Sequence, residues 1–232
     1  MTDDPQVTHP KARPQKLTAR FGLAVAFANQ LHRRQPRKGS SIPYMSHLLG
    51  VASLALEHGA NEDEAIAAVL HDAVEDQGGE PTLETICRTF GEKVAGIVDE
   101  CTDAVVIPKP AWEPRKRTYI ERLAKASKGA LLVSAADKLH NVRSMLGDYR
   151  EVGEALWPRF KGGKDGTLWY YSALIKAYRK TKAPVRPPKA LISELERTLR
   201  ELKRLARVAG ASRVGRPHGG KSALIFVNEP LR

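Results

Sequence analysis

The chain has 232 residues, 42% of them hydrophobic, and a formal net charge of +12; that length builds one substantial core with room for an appendage. No apolar run approaches the roughly 20 residues of a spanning helix, residues 1–15 carry no apolar signal segment, and the two cysteines, Cys87 and Cys101, make no disulfide framework, so a reducing cytoplasm is the expected compartment. Residues 181–232 hold 12 Lys/Arg against 4 Asp/Glu, which places most of the basic excess at the C-terminal end and suits a polyanionic or acidic partner.

Residues 1–15 read as a disordered arm. A first helix is expected over 17–31, then a loop broken by Pro36, Gly39 and Pro43 that carries Arg37 and Lys38. A second helix runs from Tyr44 or Ser46 to about Glu57, stopped by Gly59. Asn61 caps the third, with Glu62, Asp63 and Glu64 in its first turn and Asn61-x-x-Glu64 as a capping box; it is expected to continue to Asp76. Further helices follow over 82–90, 92–102, 115–126 and 129–146, separated by Gly91 and by a proline-containing loop at 103–114. Residues 147–166 read as irregular and 167–179 as an eighth helix. Pro184, Pro187 and Pro188 mark a linker. Beyond it, Leu191, Leu195, Leu199, Leu202 and Leu205 form an amphipathic stripe, followed by a tail with one apolar run, 223–227. No strand alternation is found over 15–180. The expected architecture is all-α: a helical domain over 15–182, and a separable extension over 183–232 whose stripe is open to a partner helix or a second copy.

The third helix carries the densest chemistry, His71-Asp72-Ala73-Val74-Glu75-Asp76. On one continuous helix, with His71 at zero, Glu75 falls near ~40°, Asp72 near ~100° and Asp76 near ~140°. Ile66, Ala67, Leu70, Ala73 and Val74 take the opposite, apolar arc. Three carboxylates this close repel one another unless a cation or shared proton offsets them. Two other stretches offer ligands. His47 opens the second helix, and Asp137 follows the apolar run 131–136, where an unpaired carboxylate is costly. His47, His71, Asp72 and Asp137 together make two imidazoles and two carboxylates, a set that suits Mn²⁺, Fe²⁺ or Zn²⁺ acting on water.

In that order these residues resemble the HD-domain metal phosphohydrolases, and within them the hydrolase domain of RelA/SpoT-type alarmone enzymes. Pro43-Tyr44-x-x-His47, Leu70-His71-Asp72-x-Val74-Glu75-Asp76, Phe90-Gly91-Glu92 and Ala136-Asp137-Lys138-Leu139-His140-Asn141 are similar to its motifs, over about residues 20–180. The resemblance implies an HD-type helical bundle with one Mn²⁺ on His47, His71, Asp72 and Asp137. It implies Glu75 and Asp76 as the catalytic acidic pair, and Arg37, Lys38, Tyr44 and Asn141 as nucleotide-pocket residues. The implied reaction removes the 3′-pyrophosphate of guanosine tetra- or pentaphosphate, giving GDP or GTP. Leu48 and Gln77 depart from the family pattern, which commonly has proline and threonine there. The 52 residues after 180 are too few for a synthetase domain, so a stand-alone small hydrolase is expected. His32 is expected to be structural or peripheral; for His140 a place behind the ligands, in the core or at the surface stays open. The motifs specify metal and reaction type better than base. An HD hydrolase of another nucleotide, such as an adenosine alarmone or the 2′-phosphate of NADPH, is one alternative. A non-enzymatic nucleotide- or nucleic-acid-binding module is the other, though it has no need of the acidic pair.

Overall fold

A computed structural model describes residues 16–103, 110–182 and 185–214, with backbone alone for 209–214. Among these residues there are α-helices and short 3₁₀ turns but no strand. The N-terminal arm, much of the 103–114 loop and the apolar run at 223–227 lie outside the described residues.

α1 (Ala19–His32), α2 (Met45–Glu57) and α3 (Glu62–Leu70) form the first layer. The capping box at α3 is formed: Glu64 N–H donates to Asn61 at 3.1 Å and Asn61 N–H donates to Glu64 at 2.8 Å. After its acidic first turn α3 is apolar on all sides, and every residue from Glu64 to Leu70 is buried. It packs against α1, α2, α6 (Glu92–Cys101) and α8 (Lys128–Val152). α8 is the axis of the bundle. Leu131, Val133, Ala135, Ala136, Leu139 and Val142 are all fully buried on it, each large aliphatic contributing about 1.5–3 kcal/mol by burial.

The third helix is not continuous as expected. It ends at Leu70, turns through His71 and Asp72, and restarts as α4 (Ala73–Asp76). The cause is local: Nδ1 of His71 bonds the Ala68 carbonyl at 2.9 Å, taking an acceptor that the helix ladder would use. α5 (Glu80–Phe90) starts before Thr82, with Pro81 in its first turn, where the missing N–H costs nothing. α7 (Trp112–Arg122) also starts early, because Trp112 packs edge-on to Trp169 and Tyr170 at 6.3 and 6.1 Å. α8 runs past Gly147 to Val152. The cost of a helical glycine, about 1 kcal/mol, is offset by Tyr149, which is buried against Trp157 at 5.6 Å between centroids. A 3₁₀ turn (Gly153–Arg159) and α9 (Gly163–Lys180) occupy most of the stretch expected to be irregular or to start at Thr167.

α10 (Lys189–Val214) carries the leucine stripe. The stripe is covered by this chain: Leu191, Leu195, Leu199 and Leu202 are buried in the common core, against α8 and α9. Arg179 pairs with Glu196 at 2.5 Å across that contact. Among the described residues no helix is long and apolar enough to cross a membrane. Leu195→Ala is expected to lower the unfolding free energy by about 2–5 kcal/mol. A chain ending at Lys182 is expected to lose cooperative unfolding, because it uncovers apolar faces of α8 and α9. Denaturant melts of both variants check this.

Candidate active site

Three separate stretches bring the candidate ligands to one point. His47 comes from the first turn of α2, His71 and Asp72 from the break between α3 and α4, and Asp137 from the middle of α8. Nε2 of His47 lies 3.4 Å from Asp72 Oδ2 and 3.3 Å from Asp137 Oδ1. Nε2 of His71 lies 3.1 Å and 3.8 Å from the same two atoms. Ligand atoms of His47, His71 and Asp137 all fall within 4.8 Å of one another, and all three residues are buried. His71 and Asp72 are adjacent and both keep αR backbone angles, so their side chains converge over the helix edge at the break.

The cluster fits a divalent cation. Nε2 of His71 is buried and has no aligned hydrogen-bond partner among the described residues, although two carboxylates face it. Such an orphaned nitrogen beside a second imidazole and two carboxylates is a donor set of metal-binding type. The other ring nitrogen of each histidine is engaged, His71 Nδ1 with the Ala68 carbonyl and His47 Nδ1 with His140 Nδ1 at 2.9 Å. Burial opposes charge on His71, but Asp72 and Asp137 outweigh it and push its pKa up to about 10. Burial would raise the two carboxyls. The nearby His71 charge, with His47 beside it, holds Asp72 well below its ordinary value; Lys138 and the same imidazoles do so for Asp137.

A cavity of about 420 Å³ adjoins the cluster. Glu75, Asp76, Lys38 and Asn141 line it together. Lys138 and Asn141 both donate to the Asp137 carboxylate and also line the cavity, so these two residues connect it to the cluster. The acidic pair is braced. Gln35 donates to Asp76 at 2.8 Å and accepts from Gln77 and His32. Asp103 N–H donates to Glu75 at 3.3 Å, and Arg115 lies 3.8 Å from the same carboxylate while pairing with Asp103.

The loop before α2 is pinched at its base. Arg37 N–H donates to Ile42 at 2.7 Å and Tyr44 N–H to Gln35 at 2.8 Å. A turn closes its tip, Ser40 N–H to the Arg37 carbonyl, with Gly39 at φ 74° supplying the positive φ the turn requires. Arg37 thereby reaches Asn141 at 3.1 Å and lies 5.9 Å from the Tyr44 ring centre. Tyr44 donates to Asp72 at 2.6 Å, and its buried phenol is held far above its ordinary pKa. His32 stacks on Tyr44 at 5.3 Å, a supporting position rather than a ligand one. Sequence reasoning did not find Gln35, Asp103, Arg115, Lys116, Lys138 or Lys161. The last four add basic groups to the cavity wall; of these only Lys138 fell within a motif, and it was given no role there.

Comparison with known proteins agrees with this geometry. Residues 24–165 match the HD domain family. The chain belongs to that family. It is 42% identical over 125 residues to a Xenopus tropicalis guanosine-3′,5′-bis(diphosphate) 3′-pyrophosphohydrolase MESH1, covering 53% of this chain and 67% of the relative. The Homo sapiens MESH1 is 39% identical with the same coverage. A probable GTP pyrophosphokinase of Mycobacterium leprae is 39% identical over 124 residues, which are 15% of its length. Among solved structures, a metazoan ortholog of SpoT, described as hydrolysing ppGpp, superposes with TM-score 0.64 at 28% identity, over 82% of this chain and 98% of that one. A Listeria monocytogenes protein gives 0.59 at 30% identity, over 68% and 99%.

Because His71 must release its proton to become a ligand, metal uptake by this HD domain is expected to expel a proton. Below about pH 10, the His71 value, affinity should therefore rise with pH, by about tenfold per unit for one displaced proton. Calorimetric titration in two buffers of different ionisation enthalpy measures that proton. Asp137→Ala is expected to abolish metal retention with the helical circular dichroism unchanged.

Proposed function

We propose that this chain removes the 3′-pyrophosphate of guanosine tetra- or pentaphosphate, yielding GDP or GTP and pyrophosphate. One observation carries the reading: the acidic pair and several cations line one cavity against a two-imidazole, two-carboxylate cluster. The relatives named as 3′-pyrophosphohydrolases support the choice of substrate. His47, His71, Asp72 and Asp137 would hold the cation, Mn²⁺ in this reading, which supplies Lewis acidity toward phosphate and water when bound.

The chain's own groups do the rest. Arg37 and Lys38 meet the base and phosphates from the pinched loop, while Lys116, Lys138 and Lys161 face the polyphosphate. Water adds to the phosphorus on the ribose 3′-oxygen, that P–O bond breaks, and pyrophosphate leaves intact. Glu75 and Asp76 take a proton from the attacking water and return one to the ribose oxygen. Gln35 fixes the orientation of Asp76, and Asp103 with Arg115 fixes Glu75. The proposed catalytic unit is 15–182, with α10 bracing it. The basic excess of 183–232 supports a polyanion contact there. The unpaired cysteines support a cytoplasmic setting.

With Mn²⁺ and guanosine tetraphosphate, ³¹P spectra are expected to show GDP and pyrophosphate. Single phosphates as product, or faster turnover of dNTPs or NADPH, would overturn the alarmone reading. Glu75→Gln and Asp76→Asn are expected to keep metal and nucleotide while turnover falls about 10²-fold or more. Lys116→Ala should act mainly on KM, which steady-state kinetics separates from kcat.

A further inference from the structure

His140 takes no part in the reading above, yet it lies directly behind a candidate ligand. It follows Asp137 by three residues on α8, so both project to one side of that helix. Its Nδ1 is 2.9 Å from Nδ1 of His47, and the ring centroids are 4.8 Å apart at 60°. Two neutral imidazole nitrogens at that distance share one proton, so one ring must donate and the other accept. His47 presents Nε2 to Asp72 and Asp137 on its other side. A cation there needs a bare Nε2, which puts the proton of His47 on Nδ1 and requires an acceptor beyond it. His140 Nδ1 is that acceptor.

Space for the ring comes from Gly50 on α2. A Cβ at position 50 would lie 2.3 Å from both Cδ2 and Nε2 of His140, far inside contact distance. Any larger residue at position 50 would swing the imidazole away from His47. α2 therefore carries both the ligand and, one turn later, the gap that admits the ligand's partner.

We propose that His140 is a positioning residue for the metal centre: it accepts from Nδ1 of His47, fixing the tautomer and ring angle that turn Nε2 toward the cation, and Gly50 keeps it there. This rests on the metal-centre reading above, but its test does not use turnover. Mn²⁺ and Zn²⁺ affinities are measured by calorimetry on metal-free protein. His140→Leu is expected to weaken both by about 10–100-fold, the usual scale for such a partner. His140→Gln, whose amide oxygen can accept, should recover most of the loss. Gly50→Ala, which leaves both histidines in the chain, should weaken binding as His140→Leu does. In ¹⁵N spectra of the Zn²⁺-loaded wild type, His47 should carry its proton on Nδ1. Equal affinity in wild type and His140→Leu overturns the proposal and leaves the metal centre standing. So does an equal loss in the Leu and Gln variants, which would mean that His140 only fills space. A wild-type chain that binds neither cation overturns both.

Discussion

The structure depends on holding two carboxylates and two imidazoles, drawn from three separate stretches, within a few ångströms inside a helical bundle. Each buried carboxylate alone is unfavourable by several kcal/mol. Here Asp72 is offset by His71, His47 and the Tyr44 hydroxyl, and Asp137 by Lys138, Asn141 and the same imidazoles. The surrounding packing is what makes such crowding tolerable. The last two turns of α3 and the 130–136 stretch of α8 are buried on every side, so neither helix can rotate to release its polar group without exposing leucine or isoleucine. At the His71–Asp72 break, the His71 bond to the Ala68 carbonyl takes a backbone acceptor from the ladder and favours the turn.

From that centre, support runs outward in connected steps. Tyr44 links Asp72 to the stacked His32, and His32 links to Gln35, which holds Asp76. Thus one segment, from the end of α1 to the start of α2, orients a carboxylate of the candidate metal cluster, Asp72, and one of the proposed acidic pair, Asp76, at once. The same segment carries Arg37 and Lys38. Its rigidity comes from backbone bonds across its base and the glycine turn at its tip, not from burial. A substitution in this loop would therefore disturb metal, acid–base and substrate groups together, and such effects would not be additive.

Much of this was legible in the sequence because the signals were local or periodic. The α3 capping box, the break at Gly91 and the ligands in motif order all depend on residues a few positions apart. What was hidden depended on distance. The helix break is the exception: its cause, the His71 bond to the Ala68 carbonyl, is local, but the apolar periodicity continues through 62–76 and hides it. α8 was expected to stop near Gly147 because glycine is a poor helix former. Tyr149 packing on Trp157 reversed that, a tertiary contact overriding a propensity. The leucine stripe of α10 was read correctly as amphipathic, but amphipathicity does not name what covers it. Likewise Gln35, Asp103 and Lys161 carry no motif; they matter because the fold sets them beside Glu75, Asp76 or the cavity.

The cavity also shows how charge is divided in the site. Glu75 and Asp76 line it together with Lys38, Arg115, Lys116, Lys138 and Lys161, Arg115 lying 3.8 Å from Glu75. These cations are not all equivalent. Lys138 is committed to Asp137, which holds its ammonium firmly protonated against the cost of burial. Lys116 is pulled the other way, since burial and the nearby Lys138 lower its pKa while Asp103 partly restores it. A polyanion entering the cavity would relieve that repulsion and meet groups already oriented by the fold, with little reorganisation left for the reacting complex. The acidic pair would face the same anion unfavourably unless proton transfer accompanied binding or reaction. That opposition suits groups whose task is to exchange protons with water and a departing ribose oxygen, and it does not suit a pocket built only to retain a nucleotide.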